Sequence, residues 1–330
     1  MAALLFLSLC GGCSDDRAAQ IAEAPSEAGV AAIDGIRPTG PDRVGIRVVA
    51  AGDEAVWLYY PAADGAGGAA EPQAPPAYGQ YLARRFGGQA AADLLAAAGP
   101  ASWNAPPAAG TRPLVIFTPG AALGSRDYRA LIAEIASHGF VVAAQNPHGS
   151  PAASEERYAQ AAEEIVAVAR SLGDGAEPAP AFDRNCILLV GHSLGGAASV
   201  LALGKAPAFV AAVNLDGDYA GAARTAAPAR PILYVTGTNE EEGERTLRRR
   251  ADDWAIVSGG NRDARRLASA ELRHLDVLDA ALLPTALIPA HKREGRFGPL
   301  GGRRVQELVG AAVTDFLREA AGRCVRQPSR

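Results

Sequence analysis

The sequence predicts an α/β fold, with a mostly parallel central sheet and helices on both faces. The N-terminal part of the chain is predicted to add an antiparallel hairpin to this sheet. From residue 113 onward, short apolar runs alternate with helix-length segments, a pattern typical of parallel strands buried on both faces. Two further strand-like runs lie close together near the N-terminus. The 330 residues are 48% hydrophobic, enough for one large core or two modest ones. No internal repeat occurs at a fixed period, and we predict a single domain over residues 36–325.

The N-terminal part of this domain is predicted to be a hairpin followed by an insertion. Residues 46–49 and 56–60 read as strands joined by a turn that contains Gly52, and their closeness favours antiparallel pairing at a sheet edge. Residues 61–112 are rich in Pro, Ala and Gly, with one helix predicted near residues 80–98. Because prolines prevent continuous strand pairing, we interpret this stretch as a surface insertion.

The regular part of the domain begins at Pro113. Strands are predicted at residues 114–118, 140–144, 186–190, 209–215 and 232–236, with a last one near 268–272. Helices are predicted at residues 125–137 (with Ser125 as N-cap), 154–171 and 194–203, and an amphipathic helix at 304–320 closes the domain. The charged run 240–250 is predicted to be a solvated helix between strands.

The most specific motif is Gly191-His192-Ser193-Leu194-Gly195. It follows a predicted strand and opens a predicted helix, the context in which G-x-S-x-G forms a nucleophile elbow. A serine at so sharp a turn has strained backbone angles, and a side chain at either glycine would collide with the crossing strand and helix. We therefore predict that Ser193 stands at the carboxyl end of a parallel sheet as the nucleophile of an acyl-transfer reaction.

A serine nucleophile needs a base, and the base needs an orienting carboxylate. In a fold of this kind the chain order is Ser, acid, His, so the acid should follow a strand later than Ser193. Asp216 ends the predicted strand 209–215 and is the favoured acid. Asp218, two residues further into the loop, and Glu240, after the next strand, are the alternatives.

Five histidines compete for the role of base. His274 follows the last predicted strand, lies after the acid in the chain and is favoured. His291 sits in a Lys/Arg-rich loop and is the alternative. Three others are set aside: His148 precedes Ser193, His192 points beside it, and His138 ends a helix, where an imidazole interacts with the helix dipole.

Two backbone N–H groups should form the oxyanion hole. One is that of Leu194, the residue after the nucleophile. The other is expected from the loop that follows the strand 114–118, where Gly120 lets the backbone turn inward and Ala121 is the predicted donor. Pro119 has no N–H and cannot serve.

These residues resemble a known group of enzymes. Residues 113–128 (PLVIFTPGAALGSRDY), 136–144 (ASHGFVVAA) and 57–61 (WLYYP) look like the platelet-activating-factor acetylhydrolase and dienelactone-hydrolase-like branch of the α/β-hydrolases. Ser193, Asp216 and His274 match that family's Ser, Asp and His in order. The resemblance covers roughly residues 36–320 and implies a metal-free serine esterase preferring short or oxidised acyl groups. One departure is Pro119-Gly120, where the family commonly has His-Gly.

The sequence thus predicts a serine carboxylic ester hydrolase that acts on a small-molecule or lipid ester through an acyl-enzyme. The same three residues would also serve a polyesterase, a peptidase or an acyltransferase. A catalytically silent envelope protein that binds a ligand is the alternative from another class; a silent scaffold need not keep all three residues. No metal-ligand spacing, dinucleotide fingerprint or P-loop is present in the sequence, so no cofactor is expected.

The first residues predict export. An apolar run at residues 2–9 is too short to span a bilayer and is followed by Cys10-Gly11-Gly12-Cys13 and a polar tract. Residues 1–13 resemble a bacterial lipoprotein signal in which Cys13 carries the lipid, and residues 14–35 are expected to be a tether. We therefore expect a location in the bacterial cell envelope, either lipid-anchored or periplasmic or secreted.

Two cysteines remain in the predicted domain. Export would place Cys186 and Cys324 in an oxidising compartment, where a disulfide between them and two separate buried thiols are both compatible with the sequence.

The net charge of −4, with no sustained basic face, gives no electrostatic support for nucleic-acid binding. The sequence carries no signal for an oligomeric state.

Overall fold

A computed structural model describes residues 23–52, 54–65, 72–145, 154–173, 180–238 and 243–325. The predicted signal 1–13, with its lipidation candidate Cys13, lies outside these described residues. None of the helices within them combines the length and the apolar character needed to cross a membrane.

A nine-stranded sheet forms the centre of the described part of the chain. Its strands are β1 (Val44–Ala51), β2 (Glu54–Pro61), β3 (Ser102–Trp103), β4 (Arg112–Thr118), β5 (Val141–Ala144), β6 (Phe182–His192), β7 (Phe209–Leu215), β8 (Ile232–Gly237) and β9 (Ala264–Ser269). Their order across the sheet is β3-β1-β2-β5-β4-β6-β7-β8-β9. Strands β5, β4, β6, β7, β8 and β9 run parallel, whereas β1 and β2 form an antiparallel hairpin.

Helices cover both faces of the sheet. They are α1 (Glu27–Asp34), α2 (Pro76–Phe86), α3 (Gly88–Ala96), α4 (Arg129–Ser137), α5 (Glu155–Gly173), α6 (Leu194–Ala202), α7 (Glu244–Val257), α8 (Ala290–Arg293) and α9 (Gly302–Val325). One core contains buried residues of α3, α4 and α9, and the core on the opposite face contains those of α5 and α6. The predicted α/β fold with its N-terminal hairpin is confirmed.

The central strands form where the sequence is apolar without alternation. Leu114, Val115, Ile116 and Phe117 of β4 are all fully buried, because helices pack on both faces of the strand. Parallel strands bring their carboxyl ends to one edge of the sheet. That edge carries the ends of β4, β6, β7, β8 and β9, and the loops that follow them hold the predicted site residues.

The last strand lies four residues earlier than predicted. The sequence predicts it near residues 268–272, and the structure places β9 at Ala264–Ser269. Its side chains alternate between half-buried and exposed because β9 is an edge strand, and Arg265 forms an ion pair with Glu319 of α9. An edge strand of this kind lacks the apolar run by which the other strands were recognised.

The predicted N-cap Ser125 is wrong. Residues Ser125–Tyr128 form a 3₁₀ turn that precedes α4, and the residue before that turn is Gly124. The turn is held by Asp127, whose carboxylate accepts a hydrogen bond from the Gly124 N–H at 2.8 Å. The capping function therefore belongs to Asp127 and not to Ser125.

The predicted surface insertion 61–112 contributes to the core. It contains two helices, α2 and α3, whose residues Leu82, Phe86, Ala90 and Ala91 are at most 1% exposed. The guanidinium of Arg129 on α4 donates to the main-chain oxygens of residues 94 and 97 at 3.1 and 3.0 Å. The segment is thus packed against the domain and is not a peripheral loop.

Part of the predicted tether 14–35 is also folded onto the domain. Ser26 caps α1, its hydroxyl accepting from the Gly29 N–H at 3.0 Å and donating to Asp93 of α3 at 2.8 Å. Ile33 of α1 is 2% exposed within the core. Helix α1 (Glu27–Asp34) is therefore docked on the domain, so this part of the predicted tether is not a spacer.

A disulfide joins Cys186 in β6 to Cys324 in α9, with their Cα atoms 5.8 Å apart. It connects the strand that leads to Ser193 with the closing helix, 138 positions further along the chain.

Candidate active site

Ser193 lies at a strained turn between β6 and α6. Its φ of 54° and ψ of −126° are unfavourable for a residue with a side chain. The turn is held by the Ser193 N–H, which donates to the oxygen of Leu215 at 2.8 Å, and by the Ser193 oxygen, which accepts from the Gly196 N–H at 3.0 Å. The neighbouring strand and the first turn of α6 thus fix the serine, as expected of a nucleophile elbow.

Two glycines make the elbow possible. A Cβ on Gly191 would lie 2.2 Å from the main-chain oxygen of Gly195, and a Cβ on Gly195 would lie 2.2 Å from that of Thr118. Neither contact is with a flexible side chain, so a larger residue at either position would force backbone apart. The spacing of glycines in the motif is therefore a requirement of close backbone packing.

The structure brings Ser193, His274 and Asp216 into one hydrogen-bonded row. Nε2 of His274 lies 3.1 Å from Oγ of Ser193, and Nδ1 lies 2.8 Å from Oδ2 of Asp216. The residues follow β6, β9 and β7 respectively, so the parallel sheet places all three at one edge. The histidine is half-buried, whereas Asp216 is 4% exposed.

Asp216 is held on both of its oxygens. Oδ1 accepts from the Gly237 N–H at 2.9 Å and from the Thr236 hydroxyl at 3.1 Å, which leaves Oδ2 for His274. Burial by itself raises the pKa of Asp216, but the hydrogen bond from His274, the charge of Arg250 and the Gly237 N–H outweigh it, so the pKa lies below its usual value. The carboxylate is therefore ionised at neutral pH.

The alternative acids lie elsewhere. Asp218 accepts from Nε of Arg250 at 2.5 Å and from Arg249 at 2.6 Å, and it does not contact His274. Glu240 lies outside the described residues. Arg250 is buried, and its Nη1 is 3.8 Å from Oδ1 of Asp216, so it links the two carboxylates. Its helix, predicted to be a solvated segment at 240–250, therefore supports the site through this one buried arginine.

The other histidines occupy different places. His138 ends α4 and bonds Glu134 at 3.0 Å, away from Ser193, in the structural position predicted for it. His291 lies on α8 and is exposed. His192 is fully buried beneath the elbow. His148 lies outside the described residues.

The loop after β4 lies against Ser193. A Cβ added to Gly120 would be 3.1 Å from Cβ of Ser193, so this glycine permits the close approach. Ala121 follows it, and Leu194 begins α6 directly after the serine. The predicted oxyanion donors, the N–H groups of Ala121 and Leu194, are therefore in the two segments that flank Ser193. α6 begins directly after Ser193, so the positive end of its helix dipole lies next to that residue.

Among the described residues, no group of three or more His, Cys, Asp or Glu is arranged to hold a metal ion.

The sequence matches the chlorophyllase family model over residues 79–237, a segment that contains Ser193 and Asp216. A search of curated proteins finds no significant sequence match. In all, 498 chains of solved structures are similar to this one. Among them is a ferulic acid esterase from Streptomyces cinnamoneus, with a TM-score of 0.67 and 22% sequence identity over 89% of this chain and 95% of that chain.

Fold and family match together define the class of this protein. The structural similarity shows the α/β-hydrolase fold. Together with the chlorophyllase family match, it indicates that the protein is an ester-hydrolysing enzyme. The predicted enzyme class is thereby confirmed at this level. The finer resemblance to the platelet-activating-factor acetylhydrolase branch stays a prediction.

Proposed function

We propose that this chain is a serine esterase in which Ser193 is the nucleophile, His274 the general base and Asp216 the orienting acid. The single observation that carries the proposal is the row of two hydrogen bonds, 3.1 Å from Ser193 to His274 and 2.8 Å from His274 to Asp216. An ionised carboxylate only accepts, so Nδ1 of His274 must donate. Nε2 is then the acceptor that the serine hydroxyl requires.

In the acylation step, Oγ of Ser193 attacks the ester carbonyl carbon while its proton passes to Nε2 of His274. The carbonyl oxygen becomes negative and accepts from the N–H groups of Ala121 and Leu194. Collapse of this intermediate breaks the bond to the alcohol oxygen, which takes the proton from His274. The alcohol leaves, and the acyl group remains on Ser193.

In the deacylation step, a water gives its proton to Nε2 of His274 and attacks the acyl carbonyl carbon. The same two N–H groups stabilise the second oxyanion. The bond between that carbon and Oγ of Ser193 breaks, and the proton returns to the serine. Asp216 stays ionised throughout and stabilises the imidazolium that forms in each half-reaction.

We propose short-chain or oxidised acyl esters as substrates, supported by the resemblance of residues 113–128 and 136–144 to platelet-activating-factor acetylhydrolases. The ferulic acid esterase neighbour offers a bulkier aromatic acyl group as the comparison substrate. The chlorophyllase family match supports ester hydrolysis in general and does not favour either of these acyl groups.

The test is a panel of p-nitrophenyl esters of two, four and eight carbons, a short-chain phospholipid and methyl ferulate. We expect hydrolysis that is abolished in Ser193→Ala and unchanged in Ser258→Ala, a serine at the end of α7 remote from the site. A kcat/KM that falls with chain length supports short acyl groups, and preference for methyl ferulate redirects the substrate class. Hydrolysis of none of these esters by folded protein contradicts the proposal.

We also propose that the chain is exported and lipidated at Cys13. The Cys186–Cys324 disulfide supports an oxidising compartment, where such bonds persist. Expression of the full chain in a bacterium fed labelled palmitate should label the wild type and Cys10→Ser but not Cys13→Ser. Absence of label in the wild type contradicts lipidation, and reduced thiols at Cys186 and Cys324 contradict export.

A further inference from the structure

A buried histidine that the proposed mechanism does not use lies directly beneath the nucleophile. His192 precedes Ser193, its ring is fully buried, and both of its nitrogens are bonded. Nε2 is 2.8 Å from the main-chain oxygen of His274, and Nδ1 is 2.8 Å from the hydroxyl of Tyr128. That hydroxyl in turn is 3.1 Å from the N–H of Gly120.

The direction of every proton in this chain is fixed by its ends. The oxygen of His274 can only accept, so Nε2 of His192 donates to it. In a neutral ring Nδ1 then accepts, and the proton it accepts comes from the Tyr128 hydroxyl. The Tyr128 oxygen is left to accept from the Gly120 N–H, which can only donate. All three bonds are satisfied by one arrangement.

The arrangement persists across the working pH range. Burial, with a smaller contribution from His274, lowers the pKa of His192 to about 3. The ring is therefore neutral wherever an esterase is assayed. It cannot act as a second base, because neither nitrogen is available to a substrate.

The chain of bonds joins three segments that the proposed reaction must hold in register. Gly120 belongs to the loop with the expected oxyanion donor Ala121, His192 to the strand that leads to Ser193, and His274 to the loop after β9. A shift of either loop relative to Ser193 would lengthen the serine–histidine contact or move the oxyanion donors. Displacements of about 1 Å at such contacts lower rates by as much as about 100-fold.

The structure assigns His192 and Tyr128 the role of positioning residues: their hydrogen bonds hold the His274 main chain and the Gly120 loop in place around Ser193. Neither side chain touches the substrate in this assignment. The inference rests on the proposed esterase function and adds two residues to it.

The first test replaces His192 by Gln, Asn and Leu. A Gln amide nitrogen reaches the place of Nε2 and can donate to the His274 oxygen, an Asn amide cannot reach it, and Leu removes both bonds. We expect Gln to retain kcat within about 5-fold and Asn and Leu to lose about 10- to 100-fold, with KM within about 3-fold for all three. Rescue by Gln alone distinguishes the bond to His274 from simple filling of space.

The second test is Tyr128→Phe, which keeps the ring and removes the hydroxyl. We expect kcat to fall about 10-fold with little change in KM. The matched control is Tyr60→Phe, which removes a buried hydroxyl that donates to the Ala105 oxygen at 2.7 Å in the hairpin region. The control should lose some stability and keep its kcat. Circular dichroism establishes that each variant is folded.

Wild type and Ser193→Ala are assayed in the same series to separate the two claims. If the wild type shows no Ser193-dependent hydrolysis, the esterase proposal fails and the positioning role falls with it. If the wild type is active, and both Tyr128→Phe and folded His192→Leu keep the wild-type kcat, only the positioning role is overturned. A loss of kcat in Tyr60→Phe equal to that in Tyr128→Phe also overturns it.

Discussion

The backbone N–H of Gly237 donates to Oδ1 of Asp216 at 2.9 Å, while Oδ2 of the same carboxylate lies 2.8 Å from His274. One end of β8 thus orients the carboxylate that extends from the end of β7. The relationship depends on the adjacency of two parallel strands, so the sheet itself presents Asp216 to the histidine.

Asp216→Asn should lower kcat by about 10²- to 10⁴-fold. An Asn amide can donate to Nδ1 of His274, which would place the ring proton on Nε2, where the serine hydroxyl needs an acceptor. Steady-state hydrolysis of p-nitrophenyl acetate measures this effect. Asp218→Asn is the matched control and should stay within about 10-fold of wild type, because Asp218 bonds Arg249 and Arg250 and not His274. The larger loss occurring in Asp218→Asn would reverse the assignment of the acid.

Gly195→Ala should lower the free energy of unfolding by more than about 2 kcal/mol and abolish activity. The added Cβ would lie 2.2 Å from the oxygen of Thr118, and neither backbone segment can move without opening the elbow. Urea denaturation gives the stability. Gly204→Ala is the control: its Cβ would meet nothing within 4 Å, so a change within about 0.5 kcal/mol is expected. Equal effects of the two substitutions would show that close packing at the elbow is not the cause.

Replacing Cys186 and Cys324 together by Ser should lower the free energy of unfolding by about 2–5 kcal/mol, because the bond closes a long loop across 138 positions. The kcat at 25 °C should change by less than about 2-fold, since the bond lies in the first half of β6, away from Ser193. Thermal unfolding with and without reductant measures the effect. The double variant should not respond to reductant, and a wild type equally indifferent to it would mean that the bond does not stabilise the fold.

Asp127 should make the stability depend on pH. Burial raises its pKa to about 6, against the lowering effect of its hydrogen bonds from Gly124 and Tyr78. A carboxyl whose pKa is higher in the folded than in the unfolded chain holds its proton more tightly when folded. Its contribution to stability therefore falls as pH rises from about 4 to about 6 and is constant above that.

The variant Asp127→Asn removes this titration. Relative to wild type it should gain about 2–3 kcal/mol in free energy of unfolding between pH 4 and pH 7. Urea denaturation at four pH values measures the difference, with the exposed Asp315→Asn on α9 as a control that should run parallel to wild type. A pH-independent difference between wild type and Asp127→Asn contradicts the raised pKa.

The sequence was most informative where the structure depends on local pattern. The elbow around Ser193 is specified by glycine spacing next to an apolar run, and β7 by a mostly apolar stretch that ends directly before Asp216. The placement of His274 followed from chain order, although its strand was predicted four residues too late, because the arginines of β9 hide an edge strand. Order along the chain was sufficient there, since all three loops meet at one edge.

Contacts between segments that are distant along the chain could not be predicted from the sequence. Nothing local marks Arg250 as buried beside Asp216, because its helix reads as charged and solvated. The bond from His192 to the His274 oxygen spans 82 positions and is formed by a main-chain atom, which no side-chain pattern reveals. Helix α1 docks through a hydrogen bond from the Ser26 hydroxyl to Asp93. No local pattern marks this contact either, because it forms only in the folded chain.

Covalent labelling by a fluorophosphonate tests most directly whether His274 activates Ser193. We predict that mass spectrometry of the digested wild type places the single adduct on Ser193, and that His274→Gln slows its formation by more than about 100-fold. An adduct on a different serine, or labelling of His274→Gln at the wild-type rate, would contradict the activation of Ser193 by His274.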